Sequence, residues 1–218
     1  LPPRRDAFAL ALDALRRRLR QGVDAPGDAL PINLIAAELR LSSTPVREAL
    51  SRLAGERLVD KRGPAYTRPR MDGPALAALY GLRLIHLLAA LAPEVEPRRV
   101  RQSAPRRAPL TFARDLASGA SPTAFVEALF LGLVRDADDP ILVQAYQPIA
   151  DRLAPFQGLE ARGLGDVAQE ALGLISAFEA DDTKALRSGL RRYHRQRMAQ
   201  SHALVRLAER EKYRTDIV

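Results

Sequence analysis

Ser42-Ser43-Thr44-Pro45-Val46-Arg47-Glu48-Ala49-Leu50-Ser51-Arg52-Leu53 is the stretch on which the fold turns. Val46, Ala49, Leu50 and Leu53 recur at i, i+3, i+4 and i+7, which gathers four apolar side chains on one face of a helix. At about 100° per residue, Thr44, Arg47, Glu48 and Ser51 fall on the opposite face, and Arg52 flanks it. Such a helix is anchored along one stripe and offers Arg, Ser and Thr along the other. Thr44 suits an N-cap. Pro45 suits the first helical position, where a missing N–H costs nothing.

Working outward, Phe8, Leu12, Leu15 and Leu19 repeat at helical spacing, with Arg16, Arg17, Arg18 and Arg20 on the other faces and Gly22 closing the helix. Ala25-Pro26-Gly27-Asp28 reads as a turn and Leu34 to Leu39 as a short second helix, broken by Leu41-Ser42-Ser43 before the third. Downstream, Leu58-Val59-Asp60-Lys61 and Ala65-Tyr66-Thr67-Arg68 read as two short strands around Arg62-Gly63-Pro64. Three helices followed by a basic hairpin make a winged helix-turn-helix. In such a module the third helix enters the major groove and the hairpin tip lies along the DNA backbone or the minor groove. The planar fork of Arg47 matches guanine O6 and N7. Ser42, Ser43 and Thr44 sit where helix N-terminal amides and hydroxyls hold a phosphate, and Ser51 and Arg52 complete the exposed face. Lys61, Arg62 and Arg68, with Gly63 at the hairpin tip, supply sequence-independent attraction to phosphate.

The charge agrees. The 218 residues carry 34 Lys plus Arg against 26 Asp plus Glu, a net +8. Residues 1–75 hold 14 basic and 9 acidic side chains, residues 76–108 hold six Arg and two Glu, and residues 109–218 are balanced at 14 and 15. The surplus lies in the first half, as expected when a nucleic-acid-binding module is joined to a neutral one. Arg98, Arg99, Arg101, Arg106 and Arg107, in a proline-rich stretch, read as a solvated loop in preference to a segment lying near the DNA. Hydrophobic residues at 47% exclude wholesale disorder. The lack of cysteine excludes disulfides, thiol nucleophiles and Cys-based zinc sites. No apolar run approaches the ~20 residues of a bilayer span and no signal-peptide pattern opens the chain, so no membrane partner and a cytoplasmic setting are expected.

Helical patterning resumes at Ala75 to about Leu91, then at 122–135, 140–158, 163–180 and 183–210. The expected fold is mostly α: a winged helix-turn-helix at 1–70 and an all-α bundle at 75–218. No His-Glu-x-x-His, Gly-x-Ser-x-Gly or phosphate loop occurs, so no enzyme is expected. Asp138-Asp139 and Asp181-Asp182 stand at helix starts, where a carboxylate favours the positive end of the dipole. Arg83, His86, Tyr146, Tyr193 and His194 are polar residues embedded in apolar helical stretches, the make-up of a ligand pocket between helices. Arg83 is the candidate for an anionic ligand such as a carboxylate; a structural ion pair is its alternative role.

Gly22-x-x-x-Pro26-Gly27-x-x-Leu30, Ile35-Ala36-x-x-Leu39 and Ser42-Ser43-Thr44-Pro45-Val46-Arg47-Glu48-Ala49-Leu50-x-x-Leu53-x-x-Glu56-x-Leu58-Val59 closely resemble the GntR family of bacterial transcriptional regulators, over roughly residues 8–70. That family usually has Arg where this chain has Ser43, so one DNA contact is lost or moved. Leu79-Tyr80-Gly81-Leu82-Arg83, Phe125 with Asp139-Pro140-Ile141-Leu142, and Ala177-x-x-Ala180-Asp181-Asp182 resemble the FadR subfamily, whose helical effector domain is called FCD. The resemblance implies a homodimer on a palindromic duplex operator and a small-molecule effector. It also implies a divalent metal held by an Asp, a His one turn later and two further His. Here the Asp-x-x-Phe-His motif falls on Pro122-Thr123-Ala124-Phe125-Val126, the second His on Ala171, and the third on Tyr193 or His194. His194 and His202 are about two helical turns apart, too far to chelate one ion. No metal and no cofactor are therefore expected. The alternative function is a DNA-binding protein whose bundle only dimerises.

Overall fold

The structure, a computed structural model, describes residues 4–92 and 121–215; the arginine-rich stretch at Arg98–Arg107 lies outside them. The elements in chain order are α1 (Arg4–Gln21), α2 (Ile32–Leu39), α3 (Ser43–Gly55), β1 (Asp60–Arg62), β2 (Ala65–Thr67), α4 (Gly73–Ala90), α5 (Pro122–Asp136), α6 (Pro140–Gly163), α7 (Val167–Glu179), α8 (Thr183–Ala199) and α9 (Ser201–Thr215). A winged helix-turn-helix followed by an all-α bundle is the architecture expected from the sequence. Two compact units form: Leu1–Leu76 with Gln147–Leu159 and His202–Val218, and Ala77–Tyr146 with Glu160–Ser201.

In the first unit, α1 packs on α3, which also meets α2. The buried stripe of α1 is Ala7, Ala11, Leu15 and Leu19, while Phe8 and Leu12 are only partly covered. The stripe is turned toward the alanines because small side chains admit a close neighbour. Gly22, at φ +71°, ends α1, with its own N–H on the Leu19 carbonyl and that of Val23 on the Arg18 carbonyl. These two bonds make a Schellman cap that satisfies carbonyls left over by the helix.

Between α2 and α3, Arg40 adopts the left-handed conformation, φ 55°, and makes the corner. The helix α3 starts earlier than expected: Ser42 is the cap residue, extended and without a side-chain capping bond, and Pro45 is the third helical position. Pro45 still forfeits no hydrogen bond, because the first four N–H groups of a helix have no intrahelical partner. Val46, Ala49, Leu50 and Leu53 are fully buried, as their spacing requires.

The wing is shorter at its start and wider than read from the sequence. Leu58 and Val59 join the core instead of pairing, and the Leu58 N–H closes onto the Leu53 carbonyl. Asp60, Lys61 and Arg62 pair antiparallel with Thr67, Tyr66 and Ala65. Gly63, φ +60°, followed by Pro64 has the sign pattern of a type II′ hairpin turn. A third rung comes from residues 27–30, read above as turn and connection. The Leu30 N–H bonds the Tyr66 carbonyl at 2.8 Å, and the Gly27 N–H bonds the Arg68 carbonyl at 2.9 Å.

In the second unit, α7 packs on both α5 and α8. The carboxylates of Asp139, Asp166 and Asp182 accept backbone N–H groups at the starts of α6, α7 and α8. The pattern at 183–210, read as one helix, is two. Ser201 Oγ donates to the Arg197 carbonyl at 2.8 Å, and the chain breaks at Gln200. Such back-bonding bends helices. By length and composition α4, with 18 residues of mean hydropathy 1.4, could cross a bilayer, although the sequence reading found no such run. It carries a wholly buried, ion-paired arginine at its middle.

Candidate nucleic-acid interface and buried polar cluster

The two faces of α3 separate as the spacing demands. Ser42, Thr44, Arg47, Glu48, Ser51 and Arg52 are exposed and Ser43 is half-buried, opposite the apolar stripe. Arg52 Nε donates to Glu56 Oε1 at 2.9 Å, so its guanidinium is partly engaged within the helix. At the hairpin, Lys61, Arg62 and Gly63 are exposed, and Lys61 Nζ lies 5.9 Å from the centroid of the Tyr66 ring. Arg68 stands apart. It is 9% exposed, and its main chain is bonded to Gly27 and Asp28. Burial pushes its guanidinium pKa down, against the attraction of Asp24 and Asp28. The sequence reading passed over Arg40, exposed at the corner two residues before Ser42. Only its left-handed backbone marks it, and no sequence pattern reports that for an arginine.

The polar residues singled out in the helical half mostly converge. Arg83 and His194 are 0% exposed, and Tyr146 and Tyr193 are also buried. Arg83 Nε donates to His194 Nε2 at 3.1 Å and Arg83 Nη1 to Glu127 Oε1 at 2.6 Å. Its guanidinium carbon is 5.1 Å from the Phe130 centroid and 5.2 Å from that of Tyr80. Burial opposes the Arg83 charge, yet Glu127 and three tyrosine hydroxyls hold its pKa above the ordinary value. His86 does not join them; it is half-buried, with Nδ1 donating to the Leu82 carbonyl of its own helix.

Sequence reasoning missed the other half of the cluster. Glu160, 0% exposed, accepts from Tyr80 Oη at 2.9 Å, Tyr193 Oη at 3.2 Å and Arg197 Nε at 2.9 Å. Arg197 also reaches Glu170 at 2.9 Å. Burial, followed by the Glu160 charge, raises the pKa of both Tyr80 and Tyr193, which keeps them as donors. Tyr80 lies three residues from Arg83, and Arg197 three from His194, so each is one turn from a residue already singled out. Helical spacing was the signal available for them.

The residues present do not fit the metal that the FCD resemblance implies. Leu190 offers a carbonyl to His194 Nδ1 and Arg83 an N–H to Nε2, so the ring is neutral with its proton on Nδ1. Burial, then the Arg83 charge, lowers its pKa well below the usual 6.5. Nε2, the nitrogen an ion would need, already accepts from a cation. Val126 and Ala171, at two other ligand positions, are buried apolar residues. Among the described residues, no group of three or more His, Cys, Asp or Glu is placed to hold an ion.

Comparison with known proteins bears on the head most directly. Residues 10–63 match the family model described as bacterial regulatory proteins, gntR family. No curated protein sequence matches the chain. Among solved structures, the chain is similar to McbR/YncC of E. coli, with 21% identity, 90% of this chain and 97% of that one covered, and a TM-score of 0.63. It is also similar to a GntR transcriptional regulator from Rhodococcus sp. RHA1, with 20% identity, 89% and 96% covered, and a TM-score of 0.68. At these identities the likeness is one of fold. Over residues 10–63 the chain is similar to the gntR family of bacterial regulatory proteins, and an all-helical bundle follows that segment.

Proposed function

We propose that the chain is a sequence-specific, ligand-responsive transcriptional regulator of the FadR type, which binds a palindromic duplex operator as a homodimer. One observation carries the DNA reading. Within a segment matching the gntR model, α3 buries Val46, Ala49, Leu50 and Leu53 while leaving Thr44, Arg47 and Ser51 exposed, and the basic tip of the wing is exposed as well. Arg47 reads a guanine, Ser42, Ser43 and Thr44 position a phosphate at the start of α3, and Lys61 and Arg62 hold the backbone. Selection of binding duplexes from a random pool tests this. An enriched inverted repeat is expected; a pool that stays unenriched while bulk DNA still binds overturns it.

The cluster around Arg83 supports an effector site for a small carboxylate that needs no metal. Its rim carboxylate Glu127 is 15% exposed, so it can turn outward and leave Arg83 to an incoming anion. A ligand that prefers one arrangement of the bundle shifts the heads toward or away from operator spacing. The second reading, a bundle that only dimerises, is favoured by the Arg83–Glu127 pair, which balances the Arg83 charge without any ligand. Operator affinity measured with and without candidate carboxylates separates the two.

A further inference from the structure

We infer that the first unit holds a second ligand site, an anion-binding cleft at the root of the wing that takes a small carboxylic acid with an apolar body. Arg57, Arg68 and Arg152 line this cleft, facing the single carboxylate of Asp151. Asp151 is already committed: Arg16 Nε lies 3.2 Å from one oxygen and Arg20 Nη1 bonds the other. Three guanidinium groups thus line the cleft beside one carboxylate, which is shared with Arg16 and Arg20 and keeps Oδ2 without a hydrogen bond.

Arg68 makes the site specific. It is 9% exposed, and its Nη1 is buried without a hydrogen-bond partner. Asp24, one of the charges that act on it, gives both carboxylate oxygens to Arg18. Asp28, the other, receives the Ala25 N–H. A buried, unsatisfied donor on a charged group is costly enough that native chains rarely keep one without a partner. Arg152, half-buried, is opposed by Arg57 and favoured only by Asp60, and its pKa falls, chiefly through burial. The cleft has the donors and the charge for an anion.

Its dimensions set the ligand class. The cleft encloses about 40 Å³, enough for a carboxylate group. It shares Pro26, Met71 and Phe156 with an adjoining cavity of about 260 Å³, also lined by Val205 and Ala208. Pro26, Met71, Phe156, Val205 and Ala208 accept an apolar body, and the opposite charges of Arg70 and Glu209 on the same walls add no net charge to favour a second anionic group. Arg57 and Leu58 lead into β1, and Arg68 and Pro69 leave β2. An occupant therefore braces the two strands that carry Lys61 and Arg62.

Calorimetric titration of the full chain with octanoate, and separately with inorganic phosphate, tests the assignment. Saturable octanoate binding is expected, with phosphate at least about tenfold weaker. Arg152→Gln and the exposed-site variant Arg57→Gln should each weaken octanoate by about tenfold, the scale of one charge-assisted hydrogen bond. Glu127→Gln, in the bundle cluster, changes octanoate binding only where the proposed effector site takes octanoate as well, and so tells the two sites apart. Absence of saturable heat with octanoate overturns the inference, as does phosphate binding as tightly as octanoate. So does octanoate binding that responds to Glu127→Gln but to neither arginine variant. A loss of bulk DNA affinity in Arg152→Gln with octanoate binding intact would make the arginines a DNA-backbone contact instead.

Discussion

Arg47 and Lys61 are both exposed cations, but their surroundings suit them to different work in the proposed DNA binding. Arg47 projects from the ordered face of a helix whose opposite stripe is fully buried, so its fork is held at one depth and angle. Arg47→Ala is expected to cost about 1–3 kcal/mol on the selected operator and to flatten base preference at one position. Lys61, near the tip of a two-stranded hairpin, acts as a point charge. Lys61→Ala should weaken all duplexes alike and reduce the salt slope by about 1. Fluorescence anisotropy on operator and scrambled duplexes over a salt series reads both; operator affinity indifferent to Arg47→Ala removes the assignment. His194 makes a prediction of another kind. Its folded pKa lies below the unfolded value of 6.5, so the unfolded chain binds the extra proton. Its contribution to stability is therefore complete above pH 6.5 and is lost as pH falls from there toward the folded pKa. Thermal melts between pH 7.5 and about 5 should show a falling Tm, shallower in His194→Gln, over a range above ordinary carboxylate titration.

Among the elements, α3 was the most legible, because one property, apolar spacing, decides both its burial and its exposed face. Leu53→Ala, at a fully buried position, should cost about 2–5 kcal/mol in denaturant melts. The edges were less legible. Thr44 looked like the cap, yet Ser42 takes that place without a side-chain bond, so the local signal for the start of α3 was weak. Ala7 and Ala11 hid the true stripe of α1, since alanine carries little hydrophobic signal where close approach is what matters. In the bundle, Arg83, Tyr146, Tyr193 and His194 stood out as polar residues among apolar ones. Glu160 did not, because its partners come from α4 and α8, far away in sequence. Glu160→Gln leaves Arg197 short of a fully buried countercharge and should cost about 3–5 kcal/mol, measured by chemical denaturation. The wing rests on one backbone angle. Gly63→Ala at φ +60° should cost about 1–2 kcal/mol locally, seen as faster amide exchange at Lys61 and Tyr66 rather than as a large fall in Tm.

At the scale of the whole chain, sequence order and compactness diverge. The boundary near residue 70 follows the change from hairpin to continuous helical patterning. The compact unit that contains the head, however, also takes in Gln147–Leu159 from α6 and the chain from His202 onward. Periodicity describes an element and its neighbours in sequence, so it is silent on a segment that returns 70 residues later. The returning segment carries definite chemistry. Asp151, 2% exposed, is the carboxylate for Arg16 and Arg20 on α1, and Phe156 buries its ring in the same unit. A fragment of residues 1–76 keeps both arginines and loses that partner: Arg16 retains Glu56, whereas Arg20 loses the Asp151 carboxylate. The fragment is expected to melt well below the full chain and to bind operator more weakly even at equal concentration of half-sites. Asp151→Asn in the full chain isolates the ionic part. Arg16 and Arg20 retain access to water, so the expected loss is at the lower end of about 1–3 kcal/mol. A fragment as stable as the full chain, together with a silent Asp151→Asn, would mean that the head folds on its own and that the returning segment adds nothing to it.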